Sequence, residues 1–217
     1  MRIAIAGGHG AIALHIERQL STAGHEAIAI IRNPEHASDI LAAGGIPVVV
    51  DLEKVDARTL AIDLQGVDAA VFAAGAGPGS SAERKFTVDR DAAILLADAA
   101  ESAGIRRLVL ISSMGADSFD PTSDDVFQVY LRAKSEADAN IRQRDLDYTI
   151  IRPGGLTDDP ATGEVELAES TGRGTIPRAD VAALVVAAVL DGIAINAQFE
   201  AISGDTPIPD ALAAVRY

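Results

Sequence analysis

Short apolar runs alternate along the chain with longer segments in which apolar residues recur at helical spacing. Residues 2–6 (RIAIA), 26–31 (EAIAII), 46–50 (IPVVV), 68–74 (DAAVFAA), 106–112 (RRLVLIS) and 147–153 (DYTIIRP) read as six strands. Between them, 10–23, 34–43, 57–65, a long segment ending near Ala103, and 124–144 read as helices. The strands are continuously apolar rather than alternating, which predicts burial on both faces, as in a parallel sheet. Strict strand–helix alternation with right-handed crossovers predicts an α/β fold with a doubly wound parallel sheet. The glycine- and serine-rich segments 75–81 and 115–125 read as loops. Beyond the sixth strand lie a strand candidate at 164–169, a helix at 179–190 and a strand at 197–203, enough for a small C-terminal cap.

Bulk properties narrow this picture. A chain of 217 residues suits one domain, 1–217, with 153–217 forming a substrate-side cap. With no cysteine, disulfides, thiolate metal sites and cysteine nucleophiles are excluded, and no metal site is expected. No apolar stretch reaches the roughly 18–20 residues of a membrane span, and the N-terminus reads as a strand rather than a leader. A cytoplasmic protein is expected, with no membrane partner. The formal charge of −14 argues against a nucleic-acid partner, because phosphate contacts need clustered Lys and Arg. The expected partner is a small-molecule substrate, and a homodimer is compatible with the sequence. Aromatic residues make up 4% of the chain, so a flat aromatic substrate would find few stacking partners.

The first strand breaks into Gly7-x-x-Gly10-x-x-Ala13 and resumes as a helix. Gly7 permits a sharp turn, Gly10 lets a pyrophosphate approach bare backbone at the helix N-terminus beside Ala11 and Ile12, and Ala13 allows close helix–strand packing. Placed in the first βαβ unit, this motif predicts a dinucleotide site. His9, inside the turn, reads mainly as a loop residue. The second strand ends in Arg32 where a carboxylate would select a ribose 2′-hydroxyl, so a 2′-phosphate, and hence NADP(H), is expected. Asp51 and Leu52, after the third strand, are candidates to flank the adenine, although such a carboxylate also serves as a helix cap.

Tyr130 and Lys134 form Y-x-x-x-K, which on a helix places phenol and ammonium on one face. A nearby ammonium favours the phenolate, and such a tyrosine can exchange a proton with a carbonyl or alcohol oxygen. Ser112 and Ser113 end the fifth strand, where ligands of open α/β sheets sit. Their hydroxyls can bond a substrate carbonyl, or simply cap a turn.

Taken together, the glycine turn, "SSMGA", "YLRAK" and "DYTIIRPGGLT" resemble the short-chain dehydrogenase/reductase superfamily. The likeness is greatest to its compact atypical NAD(P)-binding members, a group named for epimerases and dehydratases. The resemblance covers almost the whole chain and implies a Rossmann-type sheet. By this likeness, Gly7, Gly10 and Ala13 match the glycine motif, with alanine replacing its last glycine. Arg32 matches the 2′-phosphate position, and Ala73, Ala74 and Gly75 match backbone running beside the cofactor. Ser113, rather than Ser112, matches the catalytic serine. Tyr130 and Lys134 match the acid/base pair, with Lys134 also bonding the nicotinamide ribose. Pro153, Gly154 and Gly155 match the segment passing the nicotinamide amide. Asp89 stands where catalytic members carry asparagine, which places the usual lysine–water relay in question. The implied activity is NADP(H)-dependent hydride transfer to a small carbonyl or quinone-like acceptor. The alternatives are a non-enzymatic NADP(H) sensor and a sugar epimerase or dehydratase.

Overall fold

In the computed structural model, which describes residues 1–215, each of the six apolar runs becomes a strand. They are β1 (Arg2–Ala6), β2 (Glu26–Ile31), β3 (Ile46–Val49), β4 (Ala69–Phe72), β5 (Arg107–Ile111) and β6 (Asp147–Pro153). Later come β7 (Gly155–Thr157), β8 (Glu164–Ala168), β9 (Thr175–Pro177), β10 (Ala197–Ser203) and β11 (Thr206–Pro207). The main sheet runs β11-β8-β10-β6-β5-β4-β1-β2-β3. From β3 to β10 all neighbours are parallel, while β8 is antiparallel to both β10 and β11.

Strand alternation sends side chains into two cores. Ile3, Ile5, Val71, Val109 and Ile151 pack on one face, against α1 (Ala11–Thr22) and α7 (Arg178–Leu190). Ala4, Ala6, Phe72, Leu108, Leu110 and Ile150 pack on the other, where Leu60, Leu96 and Ile141 come from α3 (Ala57–Asp63), α5 (Ala92–Ser102) and α6 (Val126–Arg142). In the β1–β2 register large residues face small ones, Ile3 beside Ala27 and Ala4 beside Ile28, so both faces stay filled. The remaining helices are α2 (Ala37–Ala42), α4 (Ala82–Arg84) and α8 (Ile208–Ala214).

The long helical segment ending near Ala103 is not uniform. It starts with α4, capped by Ser81 Oγ accepting from the Arg84 N–H at 3.3 Å. It then widens into a π-helical stretch, Lys85–Asp91, before tightening into α5. The wide turns place Lys85, Val88 and Asp89 together in the interior.

Residues from 154 on divide between two places. β10, β8 and β11 widen the sheet beyond β6, and the apolar α7 packs against α1. The β7–β9 pair stands apart from the main sheet. Residues 216 and 217, which close the expected cap, lie outside the described residues. Among the described residues no helix is long and apolar enough to cross a membrane.

Candidate cofactor and active site

Strand order reverses between β1 and β4, and the backbone leaving each strand diverges there. The crevice beyond carboxyl ends at such a point is where open α/β sheets hold ligands. Here it is a cleft of about 290 Å³, lined by Gly7, His9 and Gly10 after β1 and by Ala73, Ala74 and Gly75 after β4. Its far wall is Arg32, Asn33 and His36 after β2, and residues 50–53 after β3.

Gly7 has φ +82°, and a Cβ there would lie 2.6 Å from Ala74 Cα. The turn therefore needs glycine both for its backbone angle and for its contact with the β4 exit. Gly10 caps α1 in an extended conformation without any side-chain cap. The first N–H groups of α1, including those of Ala11 and Ile12, thus lack the side-chain acceptor that usually satisfies a helix start. Of this helix start it is Gly10 that lines the cleft, Ala11 and Ile12 following behind it, and the positive helix terminus there suits a pyrophosphate. Ala13 is fully buried in the core, in keeping with close packing. His9 Nε2 lies 2.8 Å from Asp39 Oδ2, and its ring stacks on His36 with centroids 3.6 Å apart.

A Cβ on Gly10 would lie 3.2 Å from the Gly7 carbonyl and 3.6 Å from that of Ala73, and the backbone angles suit valine. Gly10→Val is therefore expected to fold while its extra methyls fill the phosphate approach. Thermal melting should change little, and fluorescence titration should show no NADPH binding; wild-type binding by the variant would contradict this.

Arg32 is half-exposed at the cleft mouth, where its Nη1 donates to Glu53 Oε2 at 3.0 Å. Glu53 also accepts from Arg84 Nη2 at 3.0 Å and from the Thr87 hydroxyl at 2.7 Å. Partial burial pushes the Glu53 carboxyl up, but the hydrogen bonds from Arg84 and Thr87 and the two guanidinium charges outweigh this and hold it low. Asp51 pairs with Lys54 at 2.9 Å, and that hydrogen bond keeps its carboxyl below the ordinary range. Leu52 offers an apolar wall beside it.

The chemistry-bearing residues lie beyond the described cleft lining, joined to it through Asp89. The Ala76 N–H donates to Asp89 Oδ2 at 3.2 Å, and Asp89 Oδ1, which makes no hydrogen bond, lies 3.4 Å from Lys134 Nζ. Asp89 is 1% exposed and Lys134 3%, so this ion pair is dry. Lys134 Nζ also donates to the Ile111 carbonyl at 3.2 Å, which ties α6 to the end of β5. Tyr130, one turn earlier on α6, has Lys134 Nζ 5.9 Å from its ring centroid and Lys85 Nζ 5.3 Å away.

The two serines differ. Ser112 is buried and donates to Asp138 Oδ2 at 2.8 Å, in a network where Arg152 Nε also donates to that oxygen at 2.8 Å. Burial pushes the Asp138 carboxyl up, against the pull of Arg152 and Ser112. The Ser113 hydroxyl makes a 3.3 Å contact to the Met114 carbonyl of its own turn, which leaves it available to a ligand. The Pro153 carbonyl accepts from the Met114 N–H at 3.1 Å, so the β6 exit braces the serine turn. Gly154 and Gly155 are drawn into contact with the β9 side: a Cβ on Gly154 would lie 2.5 Å from the Gly174 carbonyl, and the Gly155 N–H donates to that oxygen at 2.9 Å.

Sequence reasoning missed Glu53, Arg84, Thr87 and Lys85. Their pairings span more than twenty residues or depend on the π-helical turn, and no motif marks them. Asp89 stood out in sequence as an aspartate in place of asparagine, but that did not indicate that one of its oxygens would be unpartnered.

A glycine-turned cleft at the switch point and a helix terminus without a side-chain cap, with a far wall of two arginines and two carboxylates, define a dinucleotide-binding domain of Rossmann type. Residues 7–192 match the sequence model described as NAD(P)H-binding, and the chain belongs to that family. The chain is 34% identical to a Bacillus subtilis protein named "Uncharacterized sugar epimerase YhfK", over 98% of this chain and 99% of that one. A solved structure from Bacillus halodurans, assigned provisionally to the NAD-dependent epimerase/dehydratases, superposes with a TM-score of 0.89 at 33% identity, over 98% of each chain. The oxidoreductase ylbE of Lactococcus lactis superposes with a TM-score of 0.83 at 28% identity, over 98% of this chain and 95% of that one. A nicotinamide cofactor is thus the group the cleft is built for.

Proposed function

We propose that the chain is an NADP(H)-dependent oxidoreductase acting on a small carbonyl or quinone-like substrate. The observation that carries this reading is that Lys134, one turn from Tyr130 on α6, bonds the end of β5, where the Ser113 hydroxyl is held only by a 3.3 Å bond within its own turn, beside a dinucleotide cleft. A bound nicotinamide supplies or accepts the hydride at the substrate carbon. The phenol of Tyr130 gives a proton to the carbonyl oxygen in reduction and takes it back in oxidation. The Ser113 hydroxyl donates a hydrogen bond to that oxygen and fixes its position. Lys134, held by Asp89 and the Ile111 carbonyl, places a cation beside the phenol and within the site for a ribose hydroxyl. Arg32 would hold a 2′-phosphate, and the α1 terminus a pyrophosphate.

The name of the Bacillus subtilis relative favours a second reading, an epimerase or dehydratase that returns its hydride to the same molecule. Among the described residues the only strands outside the main sheet are the β7–β9 pair, a small frame for enclosing a nucleotide-sugar, which weighs against it. Absorbance at 340 nm separates the readings. An oxidoreductase consumes NADPH with a carbonyl or quinone panel, whereas an epimerase converts sugar nucleotides with no net change in cofactor. A chain that binds NADPH tightly and turns over neither panel would be a sensor instead.

The NADP(H) preference has its own test. NADPH is expected to bind more tightly than NADH, and Arg32→Ala to narrow that gap by about 1.5–3 kcal/mol, the scale of a charge-assisted hydrogen bond. Equal affinities in the wild type would remove Arg32 from this role.

A further inference from the structure

We propose that Glu53 sets the choice between NADPH and NADH by acting as the resident counter-ion of the cleft's two arginines. The inference rests on the NADP(H) reading above. One carboxylate oxygen of Glu53 takes Arg32 Nη1 at 3.0 Å together with Arg84 Nε at 3.3 Å and Nη2 at 3.0 Å, and the other takes the Thr87 hydroxyl at 2.7 Å. Both guanidiniums that line the cleft are therefore already committed to a carboxylate anchored from three sides. The other carboxylate in that wall, Asp51, is held by Lys54.

Charge then decides what can enter. A ribose 2′-phosphate aimed at Arg32 must displace Glu53 or lie against its like charge, and either costs affinity. A ribose 2′-hydroxyl meets no such obstacle: it is a donor, and the Glu53 carboxylate is an acceptor within the same wall. Glu53 thus works against the phosphate that Arg32 attracts, from the end of β3 rather than the end of β2. Selectivity for NADPH is the difference between these two opposing groups, not the property of Arg32 alone.

Replacing the carboxylate with its neutral isostere isolates the charge. The probes are 2′,5′-ADP and 5′-AMP, which differ in the phosphate alone, beside NADPH and NADH, all measured by calorimetric titration. Glu53→Gln is expected to tighten 2′,5′-ADP and NADPH about tenfold, the scale of relieving one partly screened like-charge contact, while 5′-AMP and NADH change less than about twofold. In an Arg32→Ala background the gain should shrink, because the freed arginine is no longer there to collect it. Equal tightening of both nucleotides, or no tightening of 2′,5′-ADP, would overturn the role of Glu53 while leaving the cofactor reading intact. A gain undiminished in the Arg32→Ala background would show repulsion alone at work and overturn the role of Glu53 as counter-ion of Arg32. Wild-type protein that binds neither NADPH nor NADH would overturn both.

Discussion

Tyr130→Phe is expected to lower turnover by about 10²–10⁴-fold, the range for loss of a general acid, and to leave NADPH affinity nearly unchanged. The ring stays, so its packing near Phe127 and the two lysine ammoniums is kept. What is removed is the hydroxyl to which the proposed mechanism assigns proton exchange with the substrate oxygen. The loss should appear in kcat, with KM moving little, because the interaction matters when charge develops on oxygen. Lys134→Ala should behave differently. It strips the partner from a buried Asp89 carboxylate whose free oxygen has no hydrogen bond, so cofactor binding and stability should fall along with turnover. Steady-state kinetics and dinucleotide titration on both variants check this. Full activity in Tyr130→Phe would remove the phenol from the chemistry.

The second large effect concerns a residue far from catalysis. Glu17 on α1 is fully buried, and neither carboxylate oxygen has a hydrogen-bond partner. Burial pushes its carboxyl from an ordinary 4.5 up to about 8, with a small opposing pull from Arg18. The folded chain therefore keeps this proton in a range where the unfolded chain has lost it. Stability from this group is complete below about pH 4.5 and drains away as pH rises to about 8. Each pH unit in that window costs about 1.4 kcal/mol, so the full drop is on the order of 5 kcal/mol. Urea unfolding at a series of pH values should show this decline in the wild type and a much flatter curve in Glu17→Gln, with all other titrating groups shared by the two. Parallel curves would show that Glu17 finds a partner or water in solution.

Much of the fold was legible because burial on two faces leaves a plain mark: strands such as 26–31 and 107–111 have no polar alternation to confuse them. The glycine turn was legible for a related reason, since close backbone approach restricts residue type at fixed spacing. The π-helical Lys85–Asp91 was not, because its composition fits an ordinary helix. β7, β9 and β11 are too short to show a period. Local spacing did place Arg32 in the cleft wall after β2 and Tyr130 and Lys134 one turn apart on α6. Glu53 could not be read that way, because its meaning comes from Arg32, Arg84 and Thr87 converging on it from separate loops. Ser112 and Ser113 looked alike in sequence, and what distinguishes them is the buried Asp138 behind one of them.

The position of β10 bears on how the chain is made. It is the seventh parallel strand, and it closes β6 through register from Ala197 beside Thr149 to Ala201 beside Pro153. A ribosome releases residues 147–153 well before 197–203, so during synthesis β6 presents an open hydrogen-bonding edge. Such an edge invites pairing with other chains until its own partner arrives. Premature termination between residues 153 and 197 would leave that edge permanently bare. The product would be a sticky fragment for proteases and chaperones, rather than a smaller cofactor-binding protein.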